Sequence, residues 1–210
     1  MAIISYSNGF IFIKNLKTAG TSVEVHLSQY CSDTDIVTRI EPPNPLHTPR
    51  NFAGAAGEPV FYNHMPAVHI RALLPDHFPA FYKFCFERHP VDKCLSHCAM
   101  LINSPKQRAA KGIESWEQYV EEAQFPTDFD RYTDAAGALL VDKIYKYEAL
   151  ADAVSAISRK LGLPDRPLLV REKAGFRYGV PTVAEVMARP AERRLIFEAF
   201  APTLRFVDYS

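Results

Sequence analysis

The stretch Phe10 to Tyr30, FIFIKNLKTAGTSVEVHLSQY, decides how the chain is read. Phe10-Ile11-Phe12-Ile13 is an aromatic and β-branched run of strand length without polar alternation, the pattern of a strand buried on both faces of a parallel sheet. Lys17-Thr18-Ala19-Gly20-Thr21-Ser22 follows with one cation, three hydroxyls and two small residues whose backbone lets a ligand come close, and Val23 to Gln29 continues at helical spacing. Strand, loop and helix start in that order make an anion site. The first helical turn leaves backbone N–H groups without intrahelical partners, and the helix dipole adds to their pull. A phosphate or sulfate group is the expected ligand. The nucleotide-binding loop G-x-x-x-x-G-K-[ST] needs glycines ahead of its lysine, and Ile13-Lys14-Asn15-Leu16 stands there instead, which argues against an ATPase.

Around this stretch, 210 residues that are 48% hydrophobic suffice for one sizeable core, so a single domain over 1–210 is expected. Lys plus Arg and Asp plus Glu number 24 each, and no net charge draws the chain toward nucleic acid or an anionic membrane. No run reaches the roughly 18 apolar residues of a membrane span, and no basic-then-apolar leader opens the chain. The expectation is a soluble, cytoplasmic protein with no nucleic-acid or membrane partner, its oligomeric state left open. Cys31, Cys85, Cys94 and Cys98 are too few for a disulfide framework and read as reduced thiols. Cys94, His97 and Cys98 cluster at helical spacing, but a structural zinc site wants four ligands, so packing is expected and no metal is assigned.

Working outward, Ile3-Ile4 and the turn-forming Ser7-Asn8-Gly9 suggest a short hairpin ahead of the first main strand. Residues 31–59 are polar and rich in proline and glycine, either a loop that covers a substrate or a surface excursion. Val60-Phe61-Tyr62 is a short apolar run, and Pro66 suits the start of a helix from Ala67 to Leu74. His64 then sits at a strand-to-helix junction, where ligands bind in open parallel sheets; the alternative is a capping histidine. Phe81 to Phe86 is a further central strand, ending at Glu87-Arg88-His89-Pro90 ahead of a helix from Val91 to Ile102. Arg88 closes that strand and Ser96 lies eight residues on. A guanidinium can hold two phosphate oxygens and a hydroxyl supplies one more donor, whereas the alternatives are a structural salt bridge and an ordinary helix hydroxyl. A helix face is expected around Trp116, Tyr119 and Val120, then at Leu139-Leu140-Val141 and Ile144-Tyr145 either a strand pair or one strand entering Lys146 to Leu150, and helices over Ala151–Leu161, Val183–Met187 and Ala191–Phe200. Arg171 to Gly179 forms a basic, aromatic, glycine-containing loop that contains Lys173 and Arg177.

Lys17 to Ser22, Asn63-His64-Met65-Pro66 and Arg88 with Ser96 together resemble the sulfotransferases that use 3′-phosphoadenosine 5′-phosphosulfate (PAPS), especially the branch of heparan sulfate 2-O-sulfotransferases and related carbohydrate sulfotransferases. Asp142 to Leu150 and the C-terminal tail match more loosely. The pieces follow the family's order over most of the chain, while the shortness of the chain, the lack of a membrane anchor, and regions 31–59 and 104–135 depart from it. The resemblance implies a three-layer α/β/α fold with a mostly parallel central sheet of about five strands, of the P-loop nucleotide hydrolase-like (sulfotransferase) type. It implies Lys17, Thr18, Ala19, Gly20, Thr21 and Ser22 on the 5′-phosphosulfate and Arg88 with Ser96 on the 3′-phosphate. Lys173 and Arg177 would lie on a loop that closes over the nucleotide. His64 would be the general base, Lys17 would stabilise the departing phosphate, and the product would be adenosine 3′,5′-bisphosphate. The acceptor would be a glycan or another small hydroxylated molecule. Two other readings stay open: a small-molecule kinase, which needs a more regular glycine loop and a magnesium-holding carboxylate, and a catalytically silent nucleotide-binding protein of the same fold.

Overall fold

The computed structural model describes residues 2–168 and 177–209. In chain order it holds strands β1 (Ala2–Ser5) and β2 (Phe10–Ile13), helix α1 (Gly20–Ser28), β3 (Ile36–Val37), α2 (Ala67–Leu73), β4 (Tyr82–Glu87) and α3 (Pro90–Asn103). Helices α4 (Pro105–Lys111), α5 (Trp116–Glu122) and α6 (Phe129–Tyr132) follow, then β5 (Lys143–Lys146), α7 (Leu150–Leu161), α8 (Val183–Met187) and α9 (Pro190–Leu204). These elements form two compact units, one drawn from residues 1–87 and 128–172 and the other from 88–127 and 173–210. Among the described residues no helix is long and apolar enough to cross a membrane.

The first unit is an α/β layer structure around a five-stranded sheet in the order β3-β1-β2-β4-β5. β2, β4 and β5 run parallel, but β1 is antiparallel to both β2 and β3. The expected mostly parallel sheet is therefore a mixed one. The cause is the turn between Ser5 and Phe10, since parallel neighbours need a crossover of about a dozen residues or more. Gly9, at φ 63°, supplies the left-handed residue of that turn.

Successive side chains of each strand face opposite ways. Ile3, Phe10, Phe12, Phe84 and Phe86 pack against Val23 and Leu27 of α1 and Ala153 and Ile157 of α7. Ala2, Ile4, Ile11, Ile13 and Cys85 pack against Ala67 and Ile70 of α2 and Tyr132 of α6. Both faces are covered, which is why β2 tolerates no polar residue.

Val60–Tyr62 forms no strand, and of the runs 139–141 and 144–145 only the second lies in one. At Val60–Tyr62 the amides of Val60 and Phe61 both donate to the Phe52 carbonyl at 2.9 Å, an irregular bend, so His64 follows a bend rather than a strand. At Leu139–Val141 only Leu139 bridges, to Thr133, and the strand proper is β5. Residues 31–59, by contrast, are tied to the sheet: β3 pairs with β1, and Val37 and Arg50 exchange both backbone bonds, at 3.0 and 2.8 Å.

The core of the second unit gathers Val91, Leu95 and Cys98 of α3 with Trp116, Tyr119, Val186, Ile196 and Phe200. The Trp116 indole Nε1 donates to Glu192 Oε2 at 2.8 Å, giving the buried ring's polar atom an acceptor on α9. Ser115 caps α5 through Gln118 N, and Thr182 with Glu185 forms a capping box on α8.

Asp35 anchors the start of β3. Its carboxylate accepts from Ser5 Oγ at 2.9 Å, Ser7 N at 3.0 Å, Ser7 Oγ at 2.6 Å and Ser32 N at 2.8 Å. Burial pushes its pKa up, but these donors outweigh burial and hold it below the ordinary value. A depressed carboxyl gives stability that is present above the unfolded value and lost as pH falls through the folded one. Asp35→Asn is expected to cost about 1–3 kcal/mol at neutral pH and to flatten the acid decline below about pH 4, as read by urea unfolding along a pH series. An unchanged acid decline would remove Asp35 as its source.

Candidate functional site

β2 ends at Ile13, and the chain turns through 14–19 before α1 begins at Gly20. Six described non-glycine residues have positive φ, and four of them, Lys17, Ala19, His64 and Asp128, belong to the arrangement described here. Left-handed backbone at such residues costs energy and gathers where geometry is over-determined. Lys17 at φ 60° and Ala19 at φ 56° flank Thr18, so two left-handed residues sit in the turn into α1. Ala19 is the N-cap of α1, and its methyl side chain makes no capping hydrogen bond. Lys17, Ala19 and Thr21 are half-buried, while Thr18 and Ser22 are buried.

Within the run 17–22, some letters serve the fold rather than a ligand. Thr18 Oγ1 donates to the Asn15 carbonyl at 3.3 Å. A Cβ on Gly20 would lie 2.5 Å from Lys14 Cγ, so glycine is required there to let the Lys14 stem pass. Lys14 is the residue that the sequence reading missed. Its Nζ donates to Thr21 Oγ1 at 2.9 Å and lies 3.5 Å from Glu24 Oε2. Glu24 Oε1 faces His47 Nε2 at 3.4 Å, with both side chains buried. The available signal was Glu24 itself: an acid set between Val23 and Val25 needs a partner when the helix packs on a sheet.

His64 is fastened to the same loop. Its Nδ1 is 2.9 Å from the Lys14 carbonyl, and because a carbonyl only accepts, Nδ1 carries the proton and Nε2 the lone pair. Burial, reinforced by the nearby positive charges of Lys14 and Arg131, pulls its pKa down to about 3, so the ring is neutral at physiological pH. The His64 carbonyl accepts from Arg131 Nη1 at 2.5 Å. Arg131 pairs through Nε with Asp128, whose other carboxylate oxygen accepts from Leu16 N at 2.7 Å. One carboxylate–guanidinium pair thus holds both the histidine and the loop that carries Lys17. Two further histidines of this unit sit in different settings: His69 Nδ1 bonds Tyr62 OH at 2.7 Å, and His26 lies buried edge-on to Tyr30.

In the second unit Arg88 is buried and its Nε pairs with Asp92 Oδ2 at 2.5 Å. The other oxygen of Asp92 is held by Arg177. Burial raises the Asp92 carboxyl, but the two guanidiniums overcome it and leave the pKa below the ordinary value. Ser96 lies one helical turn beyond Asp92 on α3 and is half-buried. Two expected phosphate ligands, Arg88 and Arg177, are therefore brought together, on a carboxylate supplied by the chain. Lys173 lies outside the described residues. Cys94 and Cys98 belong to the core, where burial pushes both thiols up to about 12, and His97 Nδ1 lies 3.1 Å from Tyr119 OH. Among the described residues no three His, Cys, Asp or Glu side chains are grouped to hold a metal ion.

No family model, curated protein or solved structure matches the chain. The chemistry of these residues is what remains to carry a functional reading.

Nitrogen NMR of the imidazoles tests the His64 geometry directly. The ring is expected to stay neutral, with the proton on Nδ1, down to about pH 4. Because the unfolded chain takes up this proton near pH 6.5, the group should also erode stability as pH falls below that value. A titration midpoint near 6.5 in the folded protein would contradict both statements.

Proposed function

We propose that the chain is a sulfotransferase that moves a sulfuryl group from PAPS to a hydroxyl of a glycan or another small hydroxylated acceptor. The observation that carries this reading is the His64 imidazole, pinned through Nδ1–H to the Lys14 carbonyl beside the loop 17–22 and left with its lone pair on Nε2. A sheet covered on both faces, with that loop leaving β2, supports the three-layer α/β/α reading of the P-loop-like sulfotransferase type.

The residues present suit the donor. The start of α1, with an alanine at its N-cap, and the left-handed turns at Lys17 and Ala19 suit a 5′-phosphosulfate. Arg88 and Arg177 converge on one oxyanion, Asp92, and paired guanidiniums around an oxyanion are the donors that a 3′-phosphate asks for, with Ser96 one turn further along α3. PAPS, when bound, supplies the sulfuryl group and a phosphate that can leave. His64 Nε2 accepts the proton of the acceptor hydroxyl; a base this weak takes it as the new oxygen–sulfur bond forms, not before. Lys17 and the first-turn amides of α1 hold the negative charge that develops on the departing phosphate oxygen. Lys14 contributes through its carbonyl, which fixes the tautomer of the base. A kinase would need a carboxylate that can reach magnesium, and Glu87, which closes β4, is fully buried and accepts from Asn15 Nδ2 at 2.8 Å.

Calorimetric titration with adenosine 3′,5′-bisphosphate, against AMP and against ATP with and without magnesium, tests the donor assignment. Metal-independent binding that requires the 3′-phosphate is expected, whereas preference for ATP with magnesium would replace this reading with the kinase. Arg88→Ala is expected to weaken the bisphosphate far more than AMP, and equal losses would remove Arg88 from the 3′-phosphate. His64→Ala should leave nucleotide binding intact and lower turnover by roughly 10²-fold or more. In the wild type the acid limb of kcat/KM should fall well below pH 6.5, following the depressed imidazole.

A further inference from the structure

The second unit carries a cleft that the proposed transfer does not use. It is an open surface cleft of about 740 Å³ between α8, α9 and the C-terminal segment. Met187, Pro190, Ala191, Phe197 and Tyr209 give it apolar and aromatic walls, and Arg193 and Arg194 are the charged groups on it. A volume of this order suits a small organic molecule, and mostly apolar walls with a few polar groups are the usual composition of such sites.

The helix spacing explains the arrangement. Pro190, the adjacent Arg193 and Arg194, and Phe197 fall at i, i+3/i+4 and i+7 on α9, so they share one face. The aromatic wall is held from behind. The His89 ring meets Phe197 and Tyr209 edge-on, with centroids at 5.9 and 5.8 Å. Met187 adds an unbranched, polarizable side chain that can adapt to a ligand's outline.

The charges differ among the arginines of this helix. Arg189 pairs with Glu192 at 3.2 Å and Arg194 with Glu198 at 3.7 Å. Arg193 donates to the Met187 carbonyl at 3.4 Å, and no carboxylate of the described residues pairs with it. Arg193 is exposed, and a guanidinium at the edge of an apolar aromatic wall, with no described carboxylate paired to it, suits an oxyanion attached to a flat apolar body.

We infer that this cleft binds a small aromatic anion, a sulfonate, sulfate ester or carboxylate, with its ring against Phe197 and Tyr209 and its oxyanion on Arg193. The site is independent of the transfer chemistry. His64, Lys17 and Arg88 take no part in it.

The probe is 2-naphthalenesulfonate, titrated into the full chain by calorimetry and followed by the emission of Trp116. This is the sole tryptophan, and its indole is bonded to Glu192 on α9. Inorganic sulfate, which lacks the ring, and 2-naphthalenemethanol, which lacks the charge, serve as comparisons. The sulfonate is expected to bind at least roughly tenfold more tightly than either, and Arg193→Ala to weaken it by roughly tenfold. Arg193→Lys should recover part of the loss, and Phe197→Leu, which keeps the bulk and removes the ring, should weaken the sulfonate and the alcohol alike. Arg108→Ala, a change at an exposed residue of α4 outside the cleft, should leave the affinity unchanged. No binding, equal binding of sulfate or of the alcohol, or indifference to Arg193→Ala would overturn the inference. Displacement of the probe by adenosine 3′,5′-bisphosphate would overturn it as well, by making the cleft part of the nucleotide site. Loss of nucleotide binding in Arg88→Ala with probe binding retained would leave it standing.

Discussion

The first unit depends on Lys14, buried with its ammonium between Thr21 and Glu24. Taking a carboxylate out of water is expensive, and removing one partner of a buried pair costs about 3–5 kcal/mol. Once α1 packs Val23 and Leu27 on the sheet, Glu24 is carried inside with them, and it requires a cation. Lys14 meets that need by crossing the helix start, which requires glycine at position 20. The same residue sends its carbonyl to His64 Nδ1. A demand of the core thereby sets the tautomer of the candidate base. On the far side of Glu24, His47 comes from residues 31–59, and the segment read as a substrate cover or a surface excursion also closes this buried cluster.

Strain and polar satisfaction run together at the candidate site. Lys17, Ala19, His64 and Asp128 all take left-handed backbone, and bonds from Asp128 to Leu16 N and from Arg131 to the His64 carbonyl hold that geometry. In the second unit the logic is electrostatic. Asp92 lies between the buried Arg88 and the exposed Arg177 and offsets part of their positive charge. The ion pair weighed against phosphate binding for Arg88 is thus real, and it is made by the very groups that a phosphate would use.

Much of the layout was legible along the chain. β2, β4, α1, α3 and α7 lie close to where apolar runs and helix-stop residues put them, with Gly162 left-handed at the end of α7 as a helix terminus asks. The runs at Val60–Tyr62 and Leu139–Val141 misled because short apolar stretches do not distinguish a strand from a packed irregular segment. Of the candidate site, Lys17, His64 and Arg88 could be picked out by residue type and position. Lys14, Asp128, Arg131 and Asp92 could not, because each matters only through a partner that folding brings to it.

By itself, then, the sequence determined the local pieces: a strand buried on both faces, an anion-suited turn into a helix, and an arginine followed eight residues later by a serine. Backbone preference, hydrophobic period and the chemistry of side-chain types act within a few residues, so they can be read from neighbours. Only the tertiary structure decided that the sheet is mixed, that the imidazole of His64 turns Nδ1 toward Lys14 O, and that Asp92 occupies both arginines. Those outcomes follow from burial, since a polar group withdrawn from water takes whatever partner the packed chain presents, however distant in sequence.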